Sequence, residues 1–373
     1  MTPEERIIAI LRRHGVDMIL ALPCDRNKNL YEALIRRFPS VELSREEEGV
    51  GAAAGALMAG ARPAMLIQNS GLGNMVNALA SLTRHYRFAL PILMSWRGQE
   101  SETIEAQRWM GGYVPRIMTA MDIPFHEIRT PGEIDQLDET LGGVFAHDEI
   151  RGYLFEPSVW KGSSFAPGAA PPPVFHRPAP FGEPFPQATV TRFELLQAAG
   201  AALAGKAVVC NLGAPCKELY AVRHQPSNFY MLGSMGMTAP IALGMALRSK
   251  KTVVAIDGDG STLMNPSTLA TVARYNPGNL IILLVDNGAY GSTGDQVTAA
   301  GICADLGAVA RGFGIANIIR SANPDDVARA IGAHTGEGTL LIHAICRPGS
   351  AQVPNIPLAP AQIRESVSAF LRS

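Results

Sequence analysis

Gly258-Asp259-Gly260-Ser261 follows an apolar run from Thr252 to Ile256, and Asn287 follows a second from Leu280 to Val285, with 26 residues between Gly260 and Asn287. Two strands joined by a helix across such a distance bring both loops to the carboxyl edge of a parallel sheet, where open α/β folds bind ligands. Glycines let backbone N–H groups approach phosphate oxygens. Asp259 and Asn287 add the hard oxygen ligands that Mg²⁺ prefers beside phosphate and water. The two loops therefore predict a metal and diphosphate site. A Gly-Asp-Gly alone is often only a tight turn, and it is the continuation Asp286-Asn287-Gly288-Ala289-Tyr290-Gly291-Ser292-Thr293-Gly294 at this spacing that gives the pattern its specificity.

The 373 residues are 47% hydrophobic and 17% charged, which suits two domains built on large buried sheets. The formal net charge is -1 and the basic pairs Arg12-Arg13 and Arg36-Arg37 are isolated, so nucleic acid is not an expected partner. Five cysteines, odd in number and without a CxxC pair, fit a reduced cytoplasmic protein without a cysteine-ligated metal. Met-Thr-Pro-Glu-Glu-Arg reads as a helix start and not as a secretory signal. No apolar run reaches the ~18 residues needed to span a membrane.

Eight prolines between 161 and 187 exclude a helix or a central strand there, and predict a semi-extended linker between a domain at 1–160 and another at 188–373. Before it, helical and strand-like segments alternate: Glu4 to His14, Met18 to Leu22, Leu30 to Phe38, Gly49 to Ala59, Ala64 to Gln68, Gly73 to Ser81 and Ile92 to Trp96. After it the alternation returns, with a helix capped by Thr191 and running to Leu203, then Ala207 to Asn211, Pro240 to Leu247, Thr252 to Ile256, Asn265 to Tyr275, Leu280 to Val285 and Leu340 to Cys346. Both halves read as α/β with a parallel sheet.

Two further segments carry candidate chemistry. Glu46-Glu47-Glu48 precedes an Ala- and Gly-rich helix, Gly49 to Gly60, that must pack closely against a neighbour. Taken alone, the glutamates also read as a solvated helix start favoured by the macrodipole. Gly233-Ser234-Met235-Gly236 opens a second glycine-rich helix upstream of the Asp259 loop; alone, it reads equally as close packing and a core methionine.

Together these segments resemble the thiamine diphosphate enzymes, and among them the sulfopyruvate decarboxylases of methanogenic archaea, with both subunits fused into one chain. The matching stretches are Leu22-Pro23-Cys24-Asp25, Ser44 to Gly51, Gln68-Asn69-Ser70-Gly71-Leu72-Gly73-Asn74, Ser95-Trp96-Arg97-Gly98, the two loops quoted first, Gly233 to Gly236, and Val353 to Leu358. Phosphonopyruvate decarboxylase is the close relative. The resemblance implies two thiamine diphosphate-binding α/β domains, pyrimidine-binding then diphosphate-binding, and the proline-rich stretch is too short to hold a middle domain. It implies thiamine diphosphate and Mg²⁺ as cofactors, and non-oxidative decarboxylation of 3-sulfopyruvate to sulfoacetaldehyde in coenzyme M biosynthesis.

Residue by residue, the family's amino-domain glutamate lies nine residues before the glycine that here is Gly55, which selects Glu46. That carboxyl group hydrogen-bonds N1′ of the aminopyrimidine. Met235 matches the apolar wedge that bends the cofactor, with Gly233 and Ser234 beside it at the pyrimidine edge. Gly258, Asp259, Gly260, Ser261, Asn287, Ala289 and Tyr290 match the diphosphate site, and Asp259, Asn287 and Ala289 the metal ligands. For an anionic oxoacid, Arg97, Asn69, Ser70 and Gln107 are the substrate candidates. A structural ion pair for Arg97 and a plain turn for Asn69 and Ser70 are the alternatives. His14, His85, His126 and His343 have no ligand-like spacing and read as structural.

The resemblance also implies a homodimer or higher homo-oligomer, with each site between chains. Two rival classes stand beside this reading. An NAD-dependent oxidoreductase is disfavoured because no GxGxxG opens a helix after a strand with an acidic residue at the required distance. A non-catalytic binding protein of the same fold is disfavoured by the joint presence of Glu46, Asp259 and Asn287.

Overall fold

Thr2 and Glu5 close a reciprocal capping box at the start of α1 (Pro3–Arg13), whose Ile7, Ile8, Ile10 and Leu11 are buried. In the computed structural model, which describes residues 1–99, 102, 105–166, 185–291 and 295–373, the chain then alternates strand and helix. β1 (Met18–Ala21), α2 (Lys28–Arg37), β2 (Ser40–Glu42), α3 (Glu46–Met58), β3 (Pro63–Gln68), α4 (Leu72–Ala78), β4 (Leu90–Ser95), α5 (Glu105–Ala120), β5 (Phe125–Ile128), α6 (Asp135–Ala146) and β6 (Ile150–Phe155) complete the amino half. Its six strands pair in parallel, in the order β2-β1-β3-β4-β6-β5.

The carboxyl half repeats the plan. It runs α7 (Arg192–Ala199), β7 (Ala207–Cys210), α8 (Ala214–Val222), β8 (Asn228–Tyr230), α9 (Thr238–Arg248), β9 (Val253–Gly258), α10 (Asp259–Met264), α11 (Thr268–Tyr275) and β10 (Leu280–Asp286). Then come the short strands β11 (Ala289–Tyr290) and β12 (Gln296–Val297), α12 (Leu306–Gly312), β13 (Asn317–Ser321), α13 (Pro324–Ala333), β14 (Leu340–Ile345) and α14 (Pro360–Arg372). Six strands again pair in parallel, ordered β13-β14-β10-β9-β7-β8, while β11 and β12 form an antiparallel pair. The α/β reading with two parallel sheets holds.

The chain divides into two compact units, Met1–Leu57 with Ala61–Val174, and Phe175–Ser373 with Met58–Gly60. Most of the proline-rich stretch, 167–184, lies outside the described residues, and with it most of the expected linker.

Central strands are apolar and buried on both faces; all seven residues of β10 are buried. Burying each of its Leu, Ile and Val side chains contributes roughly 1.5–3 kcal/mol. The close packing expected of α3 is met at Gly49, where an added Cβ would lie 2.6 Å from both the Leu43 and Met65 side chains. In each sheet the chain starts at an inner strand and winds both ways, so the order reverses between β1 and β3, and between β7 and β9. Ligands bind beyond the carboxyl ends of strands at such reversals.

Candidate active site

In the carboxyl unit, the β7 and β9 ends frame a cavity of about 170 Å³ whose walls include Asn211, Met235, Asp259, Ser261, Asn287 and Tyr290. The separate loops of the sequence thus meet. The Ser261 hydroxyl accepts the Gly236 N–H at 3.0 Å, tying the Gly233–Gly236 turn to the Asp259 loop. The turn needs left-handed backbone at Ser234, φ 60°, and at Gly236, φ 91°; glycine accepts this readily, and a serine at such an angle is unusual. Gly260 is required for space, because an added Cβ would lie 2.3 Å from the Tyr290 ring.

Asp259 is 2% exposed, and burial pushes its carboxyl pKa up to about 6. The Thr298 hydroxyl, 2.5 Å from Oδ2, opposes that shift, and the charge of Asp286 adds to it. The Asn287 Oδ1 accepts the Ala289 N–H at 3.2 Å. Its Nδ2 is buried without a hydrogen-bond partner among the described residues.

Four features here had no assigned role in the sequence reading. Asp257, buried at the end of β9, accepts hydrogen bonds from Thr262 and from the Gly258 N–H, and burial raises its pKa. Arg192 lines the cavity and forks onto Glu218 at 2.7 and 3.0 Å, both side chains buried. Breaking such a pair by removing one partner costs roughly 3–5 kcal/mol. His343, read as structural, holds Asp286 at 2.9 Å, and Asp286 in turn accepts the Gly288 N–H at 3.1 Å. Thr298 is the fourth. Only Asp257 and Asp286 had a sequence signal, each adjoining a recognised loop residue.

In the amino unit, Glu46 opens α3 and is 8% exposed. The Asn74 amide donates to its Oε2 at 2.8 Å, and its Oε1 rests over Gly71, where an added Cβ would lie 2.3 Å away. The Gln68–Asn74 loop therefore shapes the seat of Glu46. Glu48, fully buried, instead accepts the Ser44 N–H at 2.9 Å and so serves the helix start.

The four substrate candidates fall into two groups. Ser70 and Gln107 lie together around Gln68, whose Nε2 is 2.5 Å from the Ser70 hydroxyl and 3.2 Å from Gln107 Oε1. The Cys24 thiol joins them at 3.3 Å from Gln68 Oε1. Arg97, by contrast, forks onto Glu102 at 2.5 and 2.9 Å, and the Asn69 amide clasps the Arg97 backbone N–H and C=O at 3.0 and 3.3 Å. Those two side chains are engaged in structural bonds.

Residues 1–123 match the family model described as thiamine pyrophosphate enzyme, N-terminal TPP binding domain, and residues 213–344 match its C-terminal counterpart. A sulfopyruvate decarboxylase from Methanosarcina acetivorans is 41% identical over 97% of this chain and 96% of its own length. A phosphonopyruvate decarboxylase from Streptomyces viridochromogenes is 33% identical over 98% and 94%. In Methanothermobacter thermautotrophicus the sulfopyruvate decarboxylase beta subunit is 45% identical over 47% of this chain and 91% of that subunit; the alpha subunit is 42% identical over 42% and 97%. Among solved structures, a benzoylformate decarboxylase from Polynucleobacter necessarius superposes with a TM-score of 0.70 at 13% identity, covering 94% of this chain and 99% of its own, a likeness of fold. The chain belongs to the thiamine diphosphate-dependent decarboxylases of the sulfopyruvate decarboxylase family, with in one polypeptide what some relatives divide between two subunits.

Proposed function

We propose that this chain catalyses the Mg²⁺-dependent, non-oxidative decarboxylation of 3-sulfopyruvate to sulfoacetaldehyde and CO₂, a step of coenzyme M biosynthesis. The full-length likeness to sulfopyruvate decarboxylase carries the choice of substrate. Phosphonopyruvate, giving phosphonoacetaldehyde, is the second reading, favoured by nearly full-length relatives that carry that name. A cytoplasmic setting suits the five free cysteines.

The residues fit the cofactor. Asn287 offers a buried amide N–H on the cavity wall, unpartnered among the described residues and suited to a diphosphate oxygen. Asp259, costly to ionise where it is buried, gains from a cation beside it. Asp259, Asn287 and Ala289 would hold Mg²⁺; Gly258, Gly260 and Ser261 would take the diphosphate. Gly233, Ser234 and Met235 would set the pyrimidine and the bend between the rings.

Thiamine diphosphate, when bound, supplies a thiazolium ring that accepts the electron pair left as CO₂ departs. Glu46 would hold a proton at N1′ of the aminopyrimidine, with Asn74 fixing the orientation of its carboxylate. Ser70 and Gln107, gathered by Gln68, are the polar groups proposed to orient the oxoacid.

Purified enzyme assayed with both oxoacids tests the substrate. Sulfopyruvate is expected to be preferred in kcat/KM by at least about tenfold, since a polar site discriminates between anionic head groups of different shape and charge. The reverse preference would move the assignment to phosphonopyruvate, and turnover of neither would remove both. For the metal site, Asp259→Ala is expected to abolish Mg²⁺-dependent thiamine diphosphate binding in calorimetric titration, because the diphosphate keeps its charge while the cation loses a ligand. Binding as tight as the parent's would sink the role given to Asp259.

A further inference from the structure

Thr298 lies 39 residues from Asp259 in sequence, yet its hydroxyl is 2.5 Å from Asp259 Oδ2 and it is 1% exposed. Its backbone N–H donates to the Gly288 carbonyl at 2.9 Å, one residue beyond Asn287. One residue therefore ties both loops of the site together. Gly301 completes the clamp: its N–H donates to the Thr298 carbonyl at 3.1 Å, with a longer 3.4 Å approach to the Thr298 hydroxyl oxygen. An added Cβ at Gly301 would lie 2.6 Å from the Gly288 carbonyl oxygen, so the two backbones approach as closely as glycine allows.

We propose that the turn 298–301 is a third loop of the cation and diphosphate site, and that Thr298 is its positioning residue, aiming the Asp259 carboxylate at the cation. The proposal rests on the reading of Asp259 as a metal ligand. A hydroxyl has one proton to donate, and a carboxylate has only acceptors, so Thr298 donates to Asp259 and accepts the Gly301 approach. That bond fixes the rotation of the carboxylate and occupies one lone pair of Oδ2. The remaining lone pairs stay available to a cation. Removing a group that orients a ligand in this way typically costs about 10- to 100-fold in metal affinity or activity.

Calorimetric titration of Mg²⁺ into protein with saturating thiamine diphosphate decides the matter. Thr298→Val keeps the shape and removes the donor; it is expected to weaken Mg²⁺ binding roughly 10- to 100-fold. Thr298→Ser keeps the donor and is expected to stay within about threefold of the parent, since the hydrogen bond survives. A merely structural role would not separate the two in this order. Should Thr298→Val fail to fold, Thr298→Ala read against Thr298→Ser carries the same test. Parent-like Mg²⁺ affinity in the variant without the hydroxyl, or equal loss in Thr298→Ser, overturns the proposal. Asp259→Ala, titrated alongside, separates the two readings. If it binds Mg²⁺ as the parent does, the reading of Asp259 falls and takes this proposal with it; if it alone loses binding, only the role of Thr298 falls.

Discussion

Glu46→Gln is expected to bind thiamine diphosphate and yet exchange the cofactor's C2 proton about 10²–10⁴-fold more slowly than the parent, the range over which one positioned acid-base group acts. Glutamine fills the same space over Gly71 and can still accept from Asn74, so the seat survives. What it cannot do is share a proton with N1′. Glu48→Gln is the internal control: its carboxylate accepts the Ser44 N–H at the start of α3, and an amide oxygen accepts as well. Most exchange and activity should remain. Hydrogen/deuterium exchange at C2, quenched in acid and read by NMR, measures both variants directly. Greater sensitivity at Glu48 would place the register two residues off.

The central strands were legible because burial on both faces leaves a continuous apolar run, as from Leu280 to Val285. Edge strands lack that signal. β13 alternates exposed and half-buried residues until Ser321, and β5, Phe-His-Glu-Ile, is half-buried for three of its four residues, so neither stands out from a loop. The helix expected from Asn265 to Tyr275 starts three residues late, as α11 at Thr268, and a separate helix that was not expected, α10, precedes it from Asp259 to Met264. Pro266 explains the break, since it disfavours helical backbone at Asn265, where φ is -143°.

The candidate site was legible where backbone geometry demanded particular residues. Gly260 faces Tyr290 and Gly71 faces Glu46, and a motif of glycines records such close approaches in sequence. Side chains that act across the fold leave no such mark. Thr298 reaches Asp259 over 39 residues and His343 reaches Asp286 over 57, pairings set by the packing of β10, β14 and the turn after β12. Arg97 shows where the sequence leaves two readings open. A cation at a strand end invites assignment to an anionic substrate, but only the fold reveals Glu102 in its fork.

Mixing two inactive variants, Glu46→Gln and Asp259→Ala, is expected to restore activity that neither shows alone. The homo-oligomer with each cofactor held between chains, which the family resemblance implies, makes this prediction, and relatives named as separate alpha and beta subunits are consistent with assembly from more than one chain. In a dimer with two such sites, one mixed pair joins both mutated halves in one site and both unmutated halves in the other. Random pairing of equal amounts makes half of the dimers mixed, so about one quarter of the parent's sites should be intact. Co-expression with two affinity tags, followed by sequential purification, isolates the mixed dimer and should bring it to about half of the parent's specific activity. An inactive mixed dimer that is shown to form would mean that Glu46 and Asp259 serve one cofactor from within the same chain.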